Sequence, residues 1–240
     1  MGRVTKLKTR RKPEPERLDV ELAICARIRS AVSSGDLPPG TKLPEEAFAE
    51  AFSTSRSHVR SAFQRVAFEG LVELHKNRGA FIAHSTVKEA RDVFEARRVI
   101  ERVTTEIVTR TILTHQLRML ARQVEEQKLH WFRGDRKQAI SGISTFHRSL
   151  AALAHNEALT SALERLIIRT SLILGVYSTA RTFAALPKHY DTLMFLVDTG
   201  QSLAAARQIE RCLFAIEREL DFYPPLRREV DLQKLMRTVG

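Results

Sequence analysis

Apolar residues recur every three or four positions along the chain, and that rhythm sets out most of its elements. Leu22, Cys25, Ile28 and Val32 fall on one face of a helix that begins near Leu18 and is ended by Gly35. The following Asp36-Leu37-Pro38-Pro39-Gly40 is turn chemistry. Pro44 opens a short second helix with Ala47, Phe48 and Ala51 inward, and Ser53-Thr54 break it. Ser55 suits the N-cap of a third helix reaching about Glu69, with Val59, Ala62, Phe63 and Val66 as its buried stripe and Gly70 as its stop. Leu71 to Leu74 and Ala80 to Ala83 read as two short strands joined by the turn His75-Lys76-Asn77-Arg78-Gly79. Three helices and a basic-tipped hairpin describe a winged helix-turn-helix.

From about Val87 onward strand signals vanish. Helical periodicity predicts five or six helices, roughly 87–112, 114–133, 136–154, 157–180, 187–198 and 201–221, punctuated by Gly134-Asp135, Asn156, Pro187 and Gly200. The fold class is therefore mainly α: an N-terminal winged helix-turn-helix followed by a C-terminal all-α antiparallel bundle. The expected boundaries are a basic arm over 1–15, a DNA-binding domain over 16–85, a helical domain over 86–222 and a tail over 223–240.

Composition narrows the function classes. Of 240 residues, 43% are hydrophobic and 28% charged, which is ordinary for a globular chain. The longest run without a charged residue, Thr170 to Ala180, is too short to span a bilayer, so no membrane partner is expected. The basic N-terminus has no apolar segment behind it and does not read as a signal peptide. Two cysteines, Cys25 and Cys212, make a disulfide framework improbable and a cytoplasmic location expected. The net charge of +11 suits a polyanionic partner. Residues 1–17 alone carry seven Lys/Arg against Glu14 and Glu16, whereas 18–85 balance to zero. No nucleophile–base pair, glycine-rich phosphate loop or carboxylate dyad stands out, so no catalytic residues are assigned.

With the third helix's apolar stripe inward, Arg56, Ser57, Arg60, Ser61 and Gln64 face outward. Arg56 and Arg60 stand one turn apart, and a planar guanidinium suits a guanine edge or a phosphate. Ser55, Ser57 and His58 supply backbone-phosphate contacts at the helix start, and Lys76, Arg78 and Gly79 form the wing tip that meets the neighbouring DNA.

These residues also carry a family likeness. Leu37-Pro38-Pro39-Gly40-Thr41-Lys42-Leu43 with Pro44-Glu45-Glu46 resembles the "G-x-L-x-P-G-x-x-L-x-E" entry of GntR-family transcriptional regulators. Ser55-Arg56-Ser57-His58-Val59-Arg60-Ser61-Ala62-Phe63 resembles that family's "SRTPVREAL". Glu69-Gly70-Leu71-Val72 and Arg78-Gly79-Ala80-Phe81-Ile82 match its "EGLV" and "RGAFV". Ser53, His58 and Ser61 depart from the family's glycine, proline and glutamate, and the first is expected to strain the turn.

Residues 87 to 221 resemble the FadR-like FCD branch, through Phe94-Glu95-Ala96-Arg97-Arg98-Val99-Ile100-Glu101, Phe146-His147-Arg148-Ser149-Leu150, Arg169-Thr170-Ser171-Leu172-Ile173, Lys188-His189 and Cys212-Leu213. The resemblance implies a homodimer on a palindromic double-stranded operator, and a small carboxylate effector, often held through a metal on one Asp and three His. His147 and His189 match two of those histidines. Ile143 stands where the Asp is usual, and Cys212 at the third histidine. The remaining donor set, His147, His189 and Cys212, favours a divalent transition metal such as zinc or nickel. The alternative is two pocket-lining histidines and a small buried cysteine.

Two arginines also fall on apolar stripes. Arg169 lies with Ala162, Leu166, Ile173 and Tyr177, and Arg97 with Val93, Ile100 and Ile107. An inward guanidinium needs a partner, and Arg97, His147, Arg169, Tyr177 and His189 together make an anionic-effector site; pairing of Arg97 with Glu101 and snorkelling of Arg169 are the plainer options. The leading function is a DNA-binding repressor that senses an organic acid. The competing readings are an enzyme on a His/His/Cys metal centre and a non-specific basic DNA-binding protein.

Overall fold

The structure is a computed structural model that describes residues 14–34 and 36–222. Most of the basic arm, Gly35 and the tail over 223–240 lie outside the described residues. The first helix, α1 (Glu14–Ser34), begins ahead of Leu18, because Pro15 falls in the first turn, where a missing N–H costs nothing. Its buried face also differs from the expected one. Ile24, Cys25, Ile28, Ala31 and Val32 are buried, whereas Leu22 is 43% exposed. The reason is that α1 packs on two partners at once, the third helix and the helical bundle, which turns the face centred on Ile24 and Ile28 inward.

The winged domain continues with β1 (Lys42–Leu43), α2 (Glu45–Ala51), α3 (Arg56–Phe68), β2 (Val72–His75) and β3 (Gly79–Ile82). The strand β1 is an addition to the expected hairpin: it pairs antiparallel with β3, giving the order β1-β3-β2. Lys42 faces Phe81 across β1 and β3, and Val72 faces Ile82 across β2 and β3. In the core, Phe48 of α2 meets Phe63 of α3 edge-on at 5.1 Å, and Val59, Ala62 and Val66 are fully buried.

Seven further helices form the bundle among the described residues: α4 (Val87–Thr111), α5 (Thr114–Arg133), α6 (Arg136–Ala152), α7 (Glu157–Tyr177), α8 (Ala180–Ala184), α9 (Leu186–Asp198) and α10 (Ser202–Arg218). Side-chain caps set several starts: Thr86 accepts from the Glu89 amide at 3.1 Å, Asp135 from Gln138 at 3.2 Å and Asn156 from Leu159 at 3.1 Å. The helix expected over 157–180 stops at Tyr177, and Ser178-Thr179 separate it from α8. Arg136 holds that break: its Nε donates to Ser178 Oγ and a terminal nitrogen to the Leu174 carbonyl, both at 2.8 Å.

The two cores meet along α7. Ile168 and Leu172 are buried with the winged-domain residues, whereas Ile173 and Leu174 belong to the bundle core. The same helix therefore serves two hydrophobic cores with two faces.

Candidate functional site

The outward face of α3 is built by its cap and by the turn before it. Ser55 sits in extended backbone and its Oγ accepts from the His58 amide at 3.4 Å, while Thr54 Oγ1 lies 2.8 Å from His58 Nδ1. Arg56, Ser57, Arg60 and Gln64 are exposed on one side of the helix. Arg56 is paired with Glu46, and the Arg60 Nε donates to both Glu45 oxygens at 2.9 and 2.8 Å. Ion pairs in open solvent are weak and exchange readily for other anions, so α2 holds the two guanidiniums in place without sealing them. At the wing tip, Asn77 at φ 63° and Gly79 at φ 94° reverse the chain, and Lys76 and Arg78 are exposed there.

Inside the bundle a polar network replaces hydrocarbon. Arg97 and Glu101 lie one turn apart on α4, both 1% exposed, and Arg97 Nε donates to Glu101 Oε1 at 2.6 Å. Glu101 Oε2 accepts from Nδ1 of His147 on α6, and His147 Nε2 lies 2.8 Å from the hydroxyl of Tyr190 on α9. Burial pushes the Glu101 carboxyl up, but Arg97 and His147 beside it hold it below the usual carboxylate range. Burial lowers the His147 pKa despite Glu101, and raises that of Tyr190 well above the ordinary phenol value. These directions give a consistent assignment: neutral His147 donates from Nδ1 to the Glu101 carboxylate and accepts at Nε2 from the Tyr190 O–H.

Arg97 and two residues of α5 keep buried polar atoms without partners. Arg97 Nη2, Trp131 Nε1 and both amide atoms of Gln127 are buried with no hydrogen-bond partner in the protein. Gln127 and Trp131 are one turn apart on α5, and the Trp131 ring lies 5.3 Å from that of Tyr190. Leaving a buried polar group of this kind unsatisfied costs about 1–3 kcal/mol.

A family model described as "Bacterial regulatory proteins, gntR family" matches residues 21–82, and one described as "FCD domain" matches residues 92–215. The chain belongs to the gntR family of bacterial regulatory proteins. It is 25% identical over 166 residues to the uncharacterized HTH-type transcriptional regulator YdhC of Bacillus subtilis, spanning 68% of this chain and 74% of that one. It is 28% identical over 113 residues to a gluconate operon transcriptional repressor of Bacillus licheniformis, spanning 47% of this chain and 46% of the repressor. The structure of E. coli McbR/YncC has the same fold, with a TM-score of 0.74 at 16% identity over 83% of this chain and 97% of that one.

An FCD domain raises the question of a metal, and the residues present do not fit one. Ile143, at the position of the usual Asp, is buried hydrocarbon. Both His147 ring nitrogens are committed to Glu101 and Tyr190. Burial raises the Cys212 thiol pKa, so it stays protonated and is a poor ligand. His189 is half-buried, where Gln208 Nε2 approaches its Nδ1 at 3.3 Å and donates to its carbonyl at 2.9 Å. Among the described residues no group of three or more His, Cys, Asp or Glu side chains is placed to hold an ion. Among the described residues the set His147, His189 and Cys212 is thus not placed as a metal centre. The positive charge beside His147 comes from Arg97 instead.

Of the expected effector residues, only Arg97 and His147 share the network. Arg169 pairs with Glu89 in the first turn of α4 and Tyr177 donates to the Ser85 carbonyl just before it, so both tie α7 to the start of α4. His189 faces a groove with Arg98, Arg211 and Arg218. The sequence reading missed Gln127, Trp131 and Tyr190. The available signal was the stripe Leu120, Val124, Gln127, Trp131, in which an amide and the single tryptophan interrupt hydrocarbon.

Proposed function

We propose that the chain is a homodimeric repressor that binds a palindromic operator through α3 and the wing and releases it when a small organic acid enters the bundle. Arg56 and Arg60 address base edges, Ser55, Ser57, His58 and Gln64 the adjoining backbone and groove, and Lys76, Arg78 and Gly79 the flanking DNA. In the bundle, Arg97 Nη2 receives the effector's carboxylate, and Trp131 Nε1 and Gln127 bind its remaining polar atoms.

The observation that carries the effector assignment is the Arg97 guanidinium, 1% exposed with a terminal nitrogen unpartnered in the protein. Glu101 already balances its charge, and the unpartnered nitrogen calls for a further strong acceptor, which a ligand carboxylate supplies. The relative named for a gluconate operon supports a hydroxy acid as the effector class. Because effector and DNA bind one molecule, each must change the other's affinity by the same factor.

The test is release of a selected operator duplex by a panel of small carboxylic acids, compared between the wild type and Arg97→Lys. The lysine keeps a charge beside Glu101 and removes the fork. At least one acid should release DNA from the wild type, with about tenfold or more weaker action on the variant. Equal action on both proteins would refute the assignment of Arg97. Tight DNA binding with strong salt dependence and no operator preference would instead favour the non-specific reading.

A further inference from the structure

A cavity lies outside the bundle interior, where α1 of the winged domain faces α6 and α7. It has a volume of about 390 Å³, within the range of small-molecule sites. Its chemistry is unlike that of a packing defect. Lys137, Ser141, Ser144 and Arg148 line it from one face of α6, Arg29 and Ser30 from α1, and Ser171 from α7. Val32, Leu71 and Ile168 supply apolar wall, and among the described residues no acidic side chain lines it.

The donors and acceptors are sorted. Arg29 is held by Glu69 through Nε at 2.8 Å, and Arg148 spends only its Nε on Glu164, at 2.9 Å to each oxygen. Lys137 has no carboxylate partner among the described residues, so one positive charge in the cleft is unbalanced. At the buried end, Ser144 Oγ and Ser171 Oγ lie 2.9 Å apart, and each reaches its own helix, at the Ile140 carbonyl (2.9 Å) and the Ile167 carbonyl (3.2 Å). Two hydroxyl protons serve these three contacts, so both are spent within the serine pair and its helix carbonyls, and the oxygens' remaining lone pairs suit a ligand that donates, such as an alcohol.

We propose that this interdomain cleft binds a small polyhydroxylated anion, its charged group at Lys137 and its hydroxyls on Ser141, Ser144 and Ser171. A sugar phosphate and a sugar acid share that chemistry. The site is separate from the Arg97 network, and one wall belongs to each domain. A ligand seated in it therefore bears on how the winged domain is held against the bundle. Arg29 adds a link to the DNA-reading helix, because its partner Glu69 is the residue that ends α3.

The test is calorimetric titration of the full chain, without DNA, with glucose 6-phosphate, glucuronate, inorganic phosphate and glucose. One of the two charged sugars should bind, about tenfold or more tighter than both glucose and inorganic phosphate, and which of the two binds identifies the source of the charge. That binding should weaken about tenfold in Lys137→Glu, measurably in Ser141→Ala, and not at all in Trp131→Phe. Both cleft positions are exposed, so folding is not at stake. The proposal is overturned if neither charged sugar outbinds glucose, if inorganic phosphate binds as tightly as the sugar phosphate, or if Lys137→Glu leaves the affinity unchanged. Lys137→Glu and Trp131→Phe distinguish the two sites: binding lost in the first and kept in the second belongs to the cleft, and the reverse pattern belongs to the Arg97 site.

Discussion

Arg169 of the bundle packs directly against Gly70 at the end of α3. A Cβ built on Gly70 would lie 2.9 Å from Arg169 Cδ, and Gly70 itself sits at φ +77°. The glycine is thus needed twice, for the left-handed backbone that ends α3 and for the close approach of the bundle. Gly70→Ala is expected to lower unfolding stability by about 1–3 kcal/mol, read from a urea midpoint. Arg169→Ala in the same chain should restore the steric part and leave the backbone part. Full additivity of the two substitutions would contradict the contact.

Ser53, in the turn between α2 and α3, adopts φ 46°, a conformation that costs a side-chain-bearing residue about 1–2 kcal/mol. Its family position is glycine, and the sequence reading expected strain there. Ser53→Gly should raise stability by about 0.5–1 kcal/mol after glycine's extra chain entropy is counted. A loss of stability would show that Ser53 makes a contact outweighing the strain.

These two positions show what the sequence conveyed. Helix and wing elements were legible because apolar spacing and turn residues are local signals: Val59, Ala62, Phe63 and Val66 are all buried as expected. What faces what was not local. The stripe carrying Arg169 and Tyr177 reads as a bundle face, yet α7 is apolar on two sides and turns those residues toward the joint between domains. The same limit applied to His147 and His189, whose family positions match while the surrounding side chains commit them to different partners. Pairing of Arg97 with Glu101 was the plainer option at one turn's spacing, and it is the arrangement found.

Acid should destabilise the bundle. Glu101 is held below the ordinary carboxylate pKa and His147 below the ordinary imidazole pKa, in a pocket shared with Arg97 and Tyr190. For both groups the unfolded chain binds protons more readily than the folded one, so stability is fully present above the unfolded pKa and falls as pH drops. The decline should begin as pH passes below about 6.5, the unfolded imidazole value, and steepen below about 4.3 as Glu101 joins. Melting temperature against pH checks this, and His147→Gln should remove the first phase. A melting temperature that rises between pH 7 and 5.5 would contradict the assigned protonation states.

Metal should have little effect. With Ile143, a protonated Cys212 and both His147 nitrogens engaged, chelator-stripped protein is expected to melt at the same temperature with and without zinc or nickel. Binding at 100 times the dissociation constant would add about 2.7 kcal/mol and be plain in a melt. A rise abolished by His147→Ala would overturn the fit test.

The most direct measurement of DNA reading is the affinity of wild type and Arg60→Ala for a duplex selected from a random pool, beside a scrambled duplex of equal length. Arg60 is exposed on α3 and, among the described residues, paired with Glu45 alone, so its removal spares the fold. The predicted result is a loss of about tenfold to a hundredfold on the selected duplex with little change on the scrambled one, as for a guanidinium reading a base edge. Equal losses on both duplexes would contradict base readout by α3 and reduce Arg60 to a phosphate contact.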